Sequence, residues 1–341
     1  MRLLVAFSLF LLLSIPEPVQ AQGSALADFY RGRTITIVVG YSAGGGYDTY
    51  ARVLGRHIGK HIPGNPQVVV QNMPGAGSLR AANYIYNVAP KDGTTFGTIS
   101  RGMAMEPLIG TSQTQYESAK FTWLGSGTEE MSVFATMAAS GVKTFQDMLT
   151  KTVSVGGEGS GSDPDVYALL LKNTFGAKIR LVSGYPGTAE IALAMERGEL
   201  DGRASWSWTS IKSQKPDWFA GNKVFFPLQL NLTRNPELPQ VPVIMDFAKN
   251  DRQKQSLRIV LSRQTMGRPF LAPPGLPEDR KQALRKAFDD TMKDPEFVAE
   301  AKARGMEVNP VSGAEIDKLL AELYATPADV VAETKAAISG Q

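Results

Sequence analysis

The stretch TITIVVGYSAGGGYDTYA, residues 34–51, contains a strand, a glycine-rich loop and the start of a helix in direct succession. Its first six residues are all β-branched, which predicts a buried strand. Gly44, Gly45 and Gly46 follow, and their lack of a Cβ lets a ligand approach the main-chain amides. Helical spacing begins near Asp48. Because the first amides of a helix have no partner inside it, this stretch predicts a site for a small anion.

The sequence of this loop can be compared with three known motifs. The letters GYSAG at residues 40–44 match the G-x-S-x-G nucleophile elbow, but that motif needs a histidine base late in the chain. The sequence has two histidines, His57 and His61, and both fall on the helix that directly follows Ser42. A P-loop is excluded because Gly46 stands where lysine is required, and no G-x-G-x-x-G fits these glycines. Anion recognition at a helix N-terminus is favoured, and an exported serine hydrolase using Ser42 is the alternative.

The N-terminal residues 1–21 have one basic residue, then an apolar core, then small residues at the cleavage positions, which is typical of a secretory signal peptide. The apolar run is shorter than the roughly 20 residues that a membrane anchor needs. The chain has no cysteine, which excludes disulfides, thiol catalysis and a lipid-modified N-terminal cysteine. We therefore expect a monomeric periplasmic protein without a membrane anchor.

Charge and length restrict the remaining function classes. The 36 basic and 33 acidic residues are balanced and form no long basic run, so no nucleic-acid partner is expected. Without the signal peptide, 320 of the 341 residues would remain, which corresponds to about two domains.

The plan of strand, glycine loop and helix recurs along the chain. Residues 67–86, 152–171 and 179–200 repeat it, which predicts an α/β fold with mainly parallel sheets. In such sheets ligands lie beyond the carboxyl ends of the strands.

Two extended segments, residues 121–127 and 266–274, are interpreted as crossings between lobes. Two lobes joined by two crossings form a hinged, two-lobed clamshell of the periplasmic-binding-protein type. We expect lobe 1 to comprise residues 28–122 and 268–341, and lobe 2 to comprise residues 123–267.

Neither a metal nor a cofactor is predicted. His57 and His61 lie one helical turn apart, a spacing that can hold a metal, but no cysteine or suitably placed glutamate accompanies them. Trp206 and Trp208 alternate on a predicted strand and should share a face. Core packing is the first interpretation for this pair, and stacking on a ligand is the second.

Several blocks, in order, resemble the extracytoplasmic substrate-binding receptors of tripartite tricarboxylate transporters, also called Bug receptors. The blocks with this resemblance include ITIVVGYSAGGGYDTYARVL at residues 35–54, VVVQNMPGAGS at 68–78, PKDGTTFGT at 90–98 and RPFLAPPGLPEDRKQALRKAF at 268–288. The resemblance covers essentially the whole chain after the signal peptide. It implies a periplasmic receptor, not an enzyme, that captures a small carboxylate between two lobes and delivers it to membrane permease subunits. A second possible role is to present the ligand to a membrane sensor kinase.

The resemblance also implies which residues contact the ligand. Carried over residue by residue, the three loops and the cleft wall supply Ser42, Ala43, Gly44, Gly45, Gly46, Tyr47, Asp48, Ser160, Gly161, Ser162, Tyr185, Gly187, Thr188 and Asp201. Arg101 is a candidate for a distal anionic group, and Trp206 is a candidate for stacking.

The sequence departs from the family pattern in its second loop. Glu158, Asp163 and Asp165 place three acids there, and they would repel a second carboxylate if they faced the cleft. We interpret Asp163, which precedes a proline, as a helix cap. Tyr47 replaces a small residue of the family pattern and would narrow the mouth of the pocket.

Overall fold

The computed structural model of the protein describes residues 19–110 and 112–340. Residues 1–18 of the predicted signal peptide lie outside them. Among the described residues, no helix combines the length and the apolar character that crossing a membrane requires.

Eleven strands form two sheets in the described chain. The strands are β1 (Thr34–Val39), β2 (Gln67–Asn72), β3 (Thr95–Thr98), β4 (Thr122–Ser126), β5 (Ser132–Met137), β6 (Val153–Gly156), β7 (Ile179–Val182), β8 (Gly202–Ser207), β9 (Val224–Leu230), β10 (Pro269–Ala272) and β11 (Val311–Ser312). The first sheet has the order β11-β4-β10-β3-β1-β2, and the second has the order β7-β6-β8-β5-β9.

Helices cover these sheets. The α-helices are α1 (Val19–Tyr30), α2 (Gly46–His57), α3 (Leu79–Asn87), α4 (Glu106–Ile109), α5 (Phe145–Thr150), α6 (Asp163–Phe175), α7 (Thr188–Glu196), α8 (Trp208–Gln214), α9 (Pro216–Ala220), α10 (Asp251–Ser262), α11 (Glu278–Lys293), α12 (Pro295–Ala303), α13 (Gly313–Tyr324) and α14 (Ala328–Ala337). The 3₁₀ helices are Ile58–His61, Ala76–Ser78, Arg101–Ala104, Ser118–Lys120, Ala138–Ser140, Ile244–Phe247 and Arg263–Met266.

The predicted two-lobed α/β fold is confirmed, and each sheet is mixed. Parallel pairing joins β1 to β2 and β3 in the first sheet, and joins β6 to β7 and β8 in the second. The remaining pairs are antiparallel. In the first sheet β10 lies between β3 and β4, and β11 pairs with β4; in the second sheet β5 lies between β8 and β9. We refer to the first sheet with its helices as lobe 1 and to the second as lobe 2.

Strand β4 lies within the segment that we interpreted as the first crossing. It pairs with β10 and β11, so residues 122–126 belong to the first sheet, and the chain passes to the second sheet in residues 127–131. All five residues of β4 are buried. A strand that is buried on both faces has no alternation to mark it, so its sequence resembles an extended crossing. The numbered division into lobes stays a prediction.

The two lobes touch through their loops, so the structure represents a closed form. The Ser42 amide of the first loop donates to the Pro186 carbonyl at 3.1 Å. The Gly77 amide donates to the Glu158 carbonyl at 2.7 Å. A Cβ on Gly187 would lie 2.4 Å from Ser42 Oγ, so glycine is required for this approach.

Candidate functional site

A cavity lies between the lobes, and its walls include residues that directly follow β1, β3 and β6. This is the carboxyl edge of the strands, where α/β proteins bind ligands. The cavity volume is about 40 Å³, enough for roughly three water molecules. Its lining consists of Tyr41, Gly46, Tyr47, Ser100, Arg101, Glu158, Asp163, Pro164, Thr188, Arg203, Ser205, Trp206, Ser207, Ser210 and Arg268.

Three helices begin at this cavity. Gly46 is the first residue of α2, Asp163 is the first of α6, and Thr188 is the first of α7. The N-terminus of a helix has a partial positive charge and amides without intrahelical partners. The backbone therefore favours an anion in the cavity.

Arg101 and Asp163 form one buried ion pair of the wall. Arg101 Nε donates to Asp163 Oδ2 at 2.5 Å, and Arg263 Nη1 lies 3.2 Å from Asp163 Oδ1. Burial opposes ionisation of Asp163, but the two guanidiniums outweigh it and lower the pKa of its carboxyl. Asp163 therefore joins the lobes electrostatically. The N-cap position of α6 is Ser162 and Asp163 is the first helical residue, so the interpretation of Asp163 as the helix cap is wrong.

Glu158 and Arg203 form a second buried pair, within lobe 2. Arg203 Nη2 donates to Glu158 Oε1 at 2.6 Å, and the Thr188 hydroxyl lies 3.3 Å from the same oxygen. Burial raises the pKa of Glu158, and Arg203 opposes that shift. The structure thus places this acid of the second loop in the cavity wall.

Arg268 lies where the chain returns to lobe 1, and it contacts both lobes. Its Nη1 forms an ion pair with Glu130, and its Nη2 donates to Ser210 Oγ at 2.9 Å. Its guanidinium carbon lies 4.8 Å from the ring centroid of Tyr47 and 5.3 Å from that of Tyr50. These contacts hold the guanidinium against the start of α2.

Among the described residues, three N–H donors of the cavity wall have no hydrogen-bond partner. They are Nε of Arg203, Nε of Arg268 and Nε1 of Trp206, and all three atoms are buried. A buried donor without a partner costs about 1–3 kcal/mol. All three donors belong to residues that line the cavity.

Five of the predicted ligand-binding residues line this cavity: Gly46, Tyr47, Arg101, Thr188 and Trp206. Tyr47 stacks on Tyr41 with ring centroids 4.9 Å apart, and its hydroxyl accepts from the Arg101 amide at 3.0 Å. Tyr47 therefore forms part of the wall beneath the first loop.

The other predicted residues of the first loop, Ser42, Ala43, Gly44, Gly45 and Asp48, are outside the lining set. Asp48 accepts from the Gly44 amide at 2.9 Å and from Arg52 Nε at 2.9 Å. These bonds fix the loop, which has a φ of +88° at Gly44.

The predicted residues of the second loop, Ser160, Gly161 and Ser162, also lie outside the lining set. Asp165 fixes this loop, because it accepts from the Glu158 amide at 2.6 Å and from Ser162 Oγ at 2.7 Å. Burial raises the pKa of the Asp165 carboxyl.

Tyr185, Gly187 and Asp201, from the third loop and the predicted cleft wall, are outside the lining set as well. The Tyr185 amide donates to the Gly157 carbonyl at 3.0 Å. Asp201 Oδ2 accepts from the Ser154 amide at 2.8 Å and from the Ser154 hydroxyl at 2.6 Å.

The two tryptophans lie on different elements. Trp206 belongs to β8 and packs edge-on against Trp218, whereas Trp208 begins α8. The helix starts there because Ser207 Oγ accepts from the Ser210 amide at 3.2 Å. The expected alternation of the pair on one strand is therefore wrong.

The contacts of Ser42 are unlike those of a catalytic serine. Its hydroxyl donates to Glu190 Oε2 at 2.8 Å. His57 Nε2 lies 2.9 Å from Glu300 Oε2, and His61 Nε2 lies 2.8 Å from Asp294 Oδ2. Both histidines of the chain thus contact acids near α12 instead of Ser42.

One group of described side chains has the spacing of metal ligands: His57, Asp294 and Glu296 offer ligand atoms within 4.8 Å of one another. Lys60 Nζ already lies 2.6 Å from Asp294 and 2.5 Å from Glu296. One ammonium group is therefore already paired with both acids.

Sequence reasoning missed two charged residues of the wall, Arg203 and Arg268. Each lies in a buried strand or crossing, GRASWS at residues 202–207 and MGRPF at 266–270. An arginine among apolar strand residues is the signal that could have drawn attention to them. The other lining residues outside the predicted set are Tyr41, Ser100, Glu158, Asp163, Pro164, Ser205, Ser207 and Ser210.

The fold is that of two-lobed solute-binding proteins. The periplasmic binding protein BugD superposes with a TM-score of 0.72 at 20% identity, covering 90% of this chain and 98% of that chain. MatC from Rhodopseudomonas palustris with bound malate has a TM-score of 0.66 at 21% identity, covering 88% of this chain and 99% of that one. A third structure, R. palustris Rpa4515 with adipate, has a TM-score of 0.69 at 18% identity, covering 89% and 97%.

The sequence pattern of the TctC family, described as the tripartite tricarboxylate transporter family receptor, matches residues 51–335, and the chain belongs to this family. A UPF0065 protein from the TAR-I ttuE-ttuC' intergenic region of Agrobacterium vitis is 27% identical over 301 residues, which cover 82% of this chain and 76% of that protein. The chain is therefore a periplasmic-type solute-binding receptor and not an enzyme, so the serine hydrolase alternative is wrong.

Proposed function

We propose that the protein captures a small carboxylate in the interlobe cavity and delivers it to the membrane permease of a tripartite transporter. The observation that carries this proposal is the set of three buried donors without partners, on Arg203, Arg268 and Trp206. A carboxylate has two oxygens that can accept all three N–H groups. Hydrogen bonds to a charged group contribute about 1.5–3 kcal/mol each, enough for micromolar capture after the costs of association.

Closure of the lobes would distinguish the ligand-bound receptor from the empty one. Arg203 and Trp206 belong to lobe 2, whereas Arg268 begins the return to lobe 1. A ligand that bonds all three stabilises the closed form more than the open form, and such a difference in affinity is what shifts the equilibrium. The permease would then recognise the closed receptor.

The family and the names of its relatives support this class of ligand. The family is one of tripartite tricarboxylate transporter receptors, and two similar structures contain malate and adipate. The predicted signal peptide supports export to the periplasm, followed by cleavage after residue 21. We also expect a monomer.

The binding proposal is tested with purified protein. Native mass spectrometry would identify a co-purified ligand, and thermal-shift assays of ligand-free protein with mono-, di- and tricarboxylates would define the class. Since Trp206 lines the cavity, we expect tight-binding carboxylates to change the tryptophan fluorescence. Stabilisation by neutral aromatics or amines, with none by any carboxylate, would contradict the proposal.

Delivery to a permease is tested separately from binding. Deletion of the gene should abolish uptake of the identified carboxylate, and expression of the wild-type protein should restore it. Normal uptake combined with loss of a transcriptional response to the same carboxylate would instead favour presentation to a membrane sensor kinase.

A further inference from the structure

Two acids form part of the cavity wall, which is unexpected for a site that attracts anions. Glu158 and Asp163 line the cavity and have relative exposures of 4% and 8%. Their carboxylates lie beside any ligand that the cavity holds. They therefore restrict how much negative charge the ligand can have.

The arginines around the cavity are largely neutralised by acids. Arg101 and Arg263 share Asp163, Arg203 bonds Glu158, and Arg268 bonds Glu130. The cavity lining itself contains the three guanidiniums of Arg101, Arg203 and Arg268 and the two carboxylates of Glu158 and Asp163, so one positive charge is left over. A single carboxylate on the ligand would balance it.

The buried side-chain donors without partners also indicate a ligand with one carboxylate. The buried Nε atoms of Arg203 and Arg268 and the indole nitrogen of Trp206 supply three N–H groups without partners. Three donors suit the two oxygens of one carboxylate. Asp165 lies outside the lining set, and its carboxylate accepts hydrogen bonds from residues of its own loop and from Ser183.

The size of the cavity fits a small ligand. A volume of about 40 Å³ in the closed form corresponds to roughly three water molecules. The space is small, so the walls lie close to any ligand that it holds. Within such a space, a second carboxylate could not move far from Glu158 and Asp163.

We propose that the cavity selects a small monocarboxylate against dicarboxylates of the same length, and that Glu158 is the residue that determines this preference. The inference rests on the proposed function, because it takes the cavity to be the carboxylate site. Two like charges about 6 Å apart, at an effective dielectric constant of about 20, repel each other strongly enough to raise a dissociation constant more than tenfold. Glu158 would repel a dianion about twice as strongly as a monoanion.

Calorimetric titration of the ligand-free wild-type protein with matched pairs of acids tests the preference. Propionate is compared with malonate, and butyrate with succinate, so that each pair differs by one terminal carboxylate. We expect the monocarboxylate of the better-fitting pair to bind at least tenfold more tightly. Equal or tighter binding of the dicarboxylate would overturn the inference and leave the proposed function intact. Binding of neither class, in these pairs or in a wider carboxylate panel, would contradict both.

The variant Glu158→Gln tests the residue itself. Its amide oxygen can still accept from Arg203 and Thr188, while the negative charge is removed. We expect the ratio of dicarboxylate to monocarboxylate affinity to rise at least tenfold over wild type. Glu117→Gln, the same change at a side chain that is 65% exposed, should leave the ratio unchanged.

An unchanged ratio in a folded Glu158→Gln protein would overturn the role of Glu158. Circular dichroism and the unfolding midpoint establish whether the variant is folded. If it is not, the matched pairs on the wild-type protein decide the preference by themselves.

Discussion

Arg101 and Asp163 form a buried ion pair across the two lobes, with Arg101 Nε 2.5 Å from Asp163 Oδ2. Arg101 begins the 3₁₀ helix that follows β3 in lobe 1, and Asp163 begins α6 in lobe 2. The two side chains are only 3% and 11% exposed. Because a buried charge without its partner is costly, the pair links lobe closure to the stability of the closed form.

Replacing Arg101 should therefore destabilise the protein and weaken ligand binding. In Arg101→Leu, Asp163 keeps only Arg263 as a cationic partner, and the Ser132 hydroxyl loses its donor at 2.7 Å. We expect the free energy of unfolding to fall by about 3 kcal/mol. Urea denaturation measures that change, and calorimetric titration with the identified carboxylate measures the affinity.

Arg31→Leu provides the matched control for that experiment. Arg31 pairs with Asp28 on the surface, where the side chains are 69% and 66% exposed. Exposed pairs contribute little to stability, so the control should unfold like the wild type. A similarly small effect of Arg101→Leu would mean that the interlobe pair does not stabilise the closed form.

Trp206 should contribute to affinity through its indole N–H. Trp206→Phe removes this donor but keeps an aromatic ring for packing against Trp218. Since a hydrogen bond to a charged group contributes about 1.5–3 kcal/mol, we expect carboxylate affinity to fall at least tenfold, with a small change in unfolding midpoint. Calorimetric titration of the variant gives the dissociation constant.

Trp218→Phe distinguishes ligand contact from packing. The Trp218 indole N–H donates to Glu196 at 3.1 Å, and Trp218 does not line the cavity. This variant should bind like the wild type. If both variants lose affinity equally, the effect comes from the contact between the two rings, and Trp206 is not a donor to the ligand.

The fold could be predicted from the sequence because its signals are local. The β-branched run at residues 34–39 forms β1 over the expected residues, and Gly46 to His57 form the helix that follows. Residues 152–171 and 179–200 likewise supply β6, α6, β7 and α7. Each unit contains its own strand, turn and helix, so local patterns suffice to indicate it.

The charged wall of the cavity could not be predicted in the same way. Arginine is mostly exposed in proteins, so an isolated Arg203 or Arg268 is first read as a surface residue. Their burial depends on Glu158 and Glu130, which other segments supply. The function of such residues becomes visible only when the fold brings the pairs together.

Two neighbouring glycines of the first loop, Gly45 and Gly46, differ in the space that is available for an added side chain. A Cβ on Gly46 would lie 2.7 Å from Arg268 Nη2 and 2.7 Å from Ser210 Oγ, whereas a Cβ on Gly45 would meet Thr188 at 3.8 Å. Gly46→Ala should therefore displace the Arg268 guanidinium and weaken carboxylate binding about tenfold or more, in line with the loss of one charged hydrogen bond. Gly45→Ala should bind like the wild type, and both affinities are measured by calorimetric titration. Equal loss in the two variants would contradict the assignment of Arg268.

Glu300 should contribute to stability in a way that depends on pH. Hydrogen bonds from Arg56, together with those from His57 and Arg304, lower the pKa of Glu300 from 4.5 to about 2. A carboxyl whose pKa is lower in the folded state stabilises the protein above its unfolded pKa, and this contribution is lost as the pH falls towards the folded value. The free energy of unfolding should therefore decrease from about pH 5 to about pH 2, and less steeply in Glu300→Gln. Urea denaturation at a series of pH values measures both slopes.

Glu322→Gln, on a side chain that is 66% exposed, is the control and should keep the wild-type slope. A wild-type slope in Glu300→Gln would show that the contact between α2 and α12 does not depend on this charge.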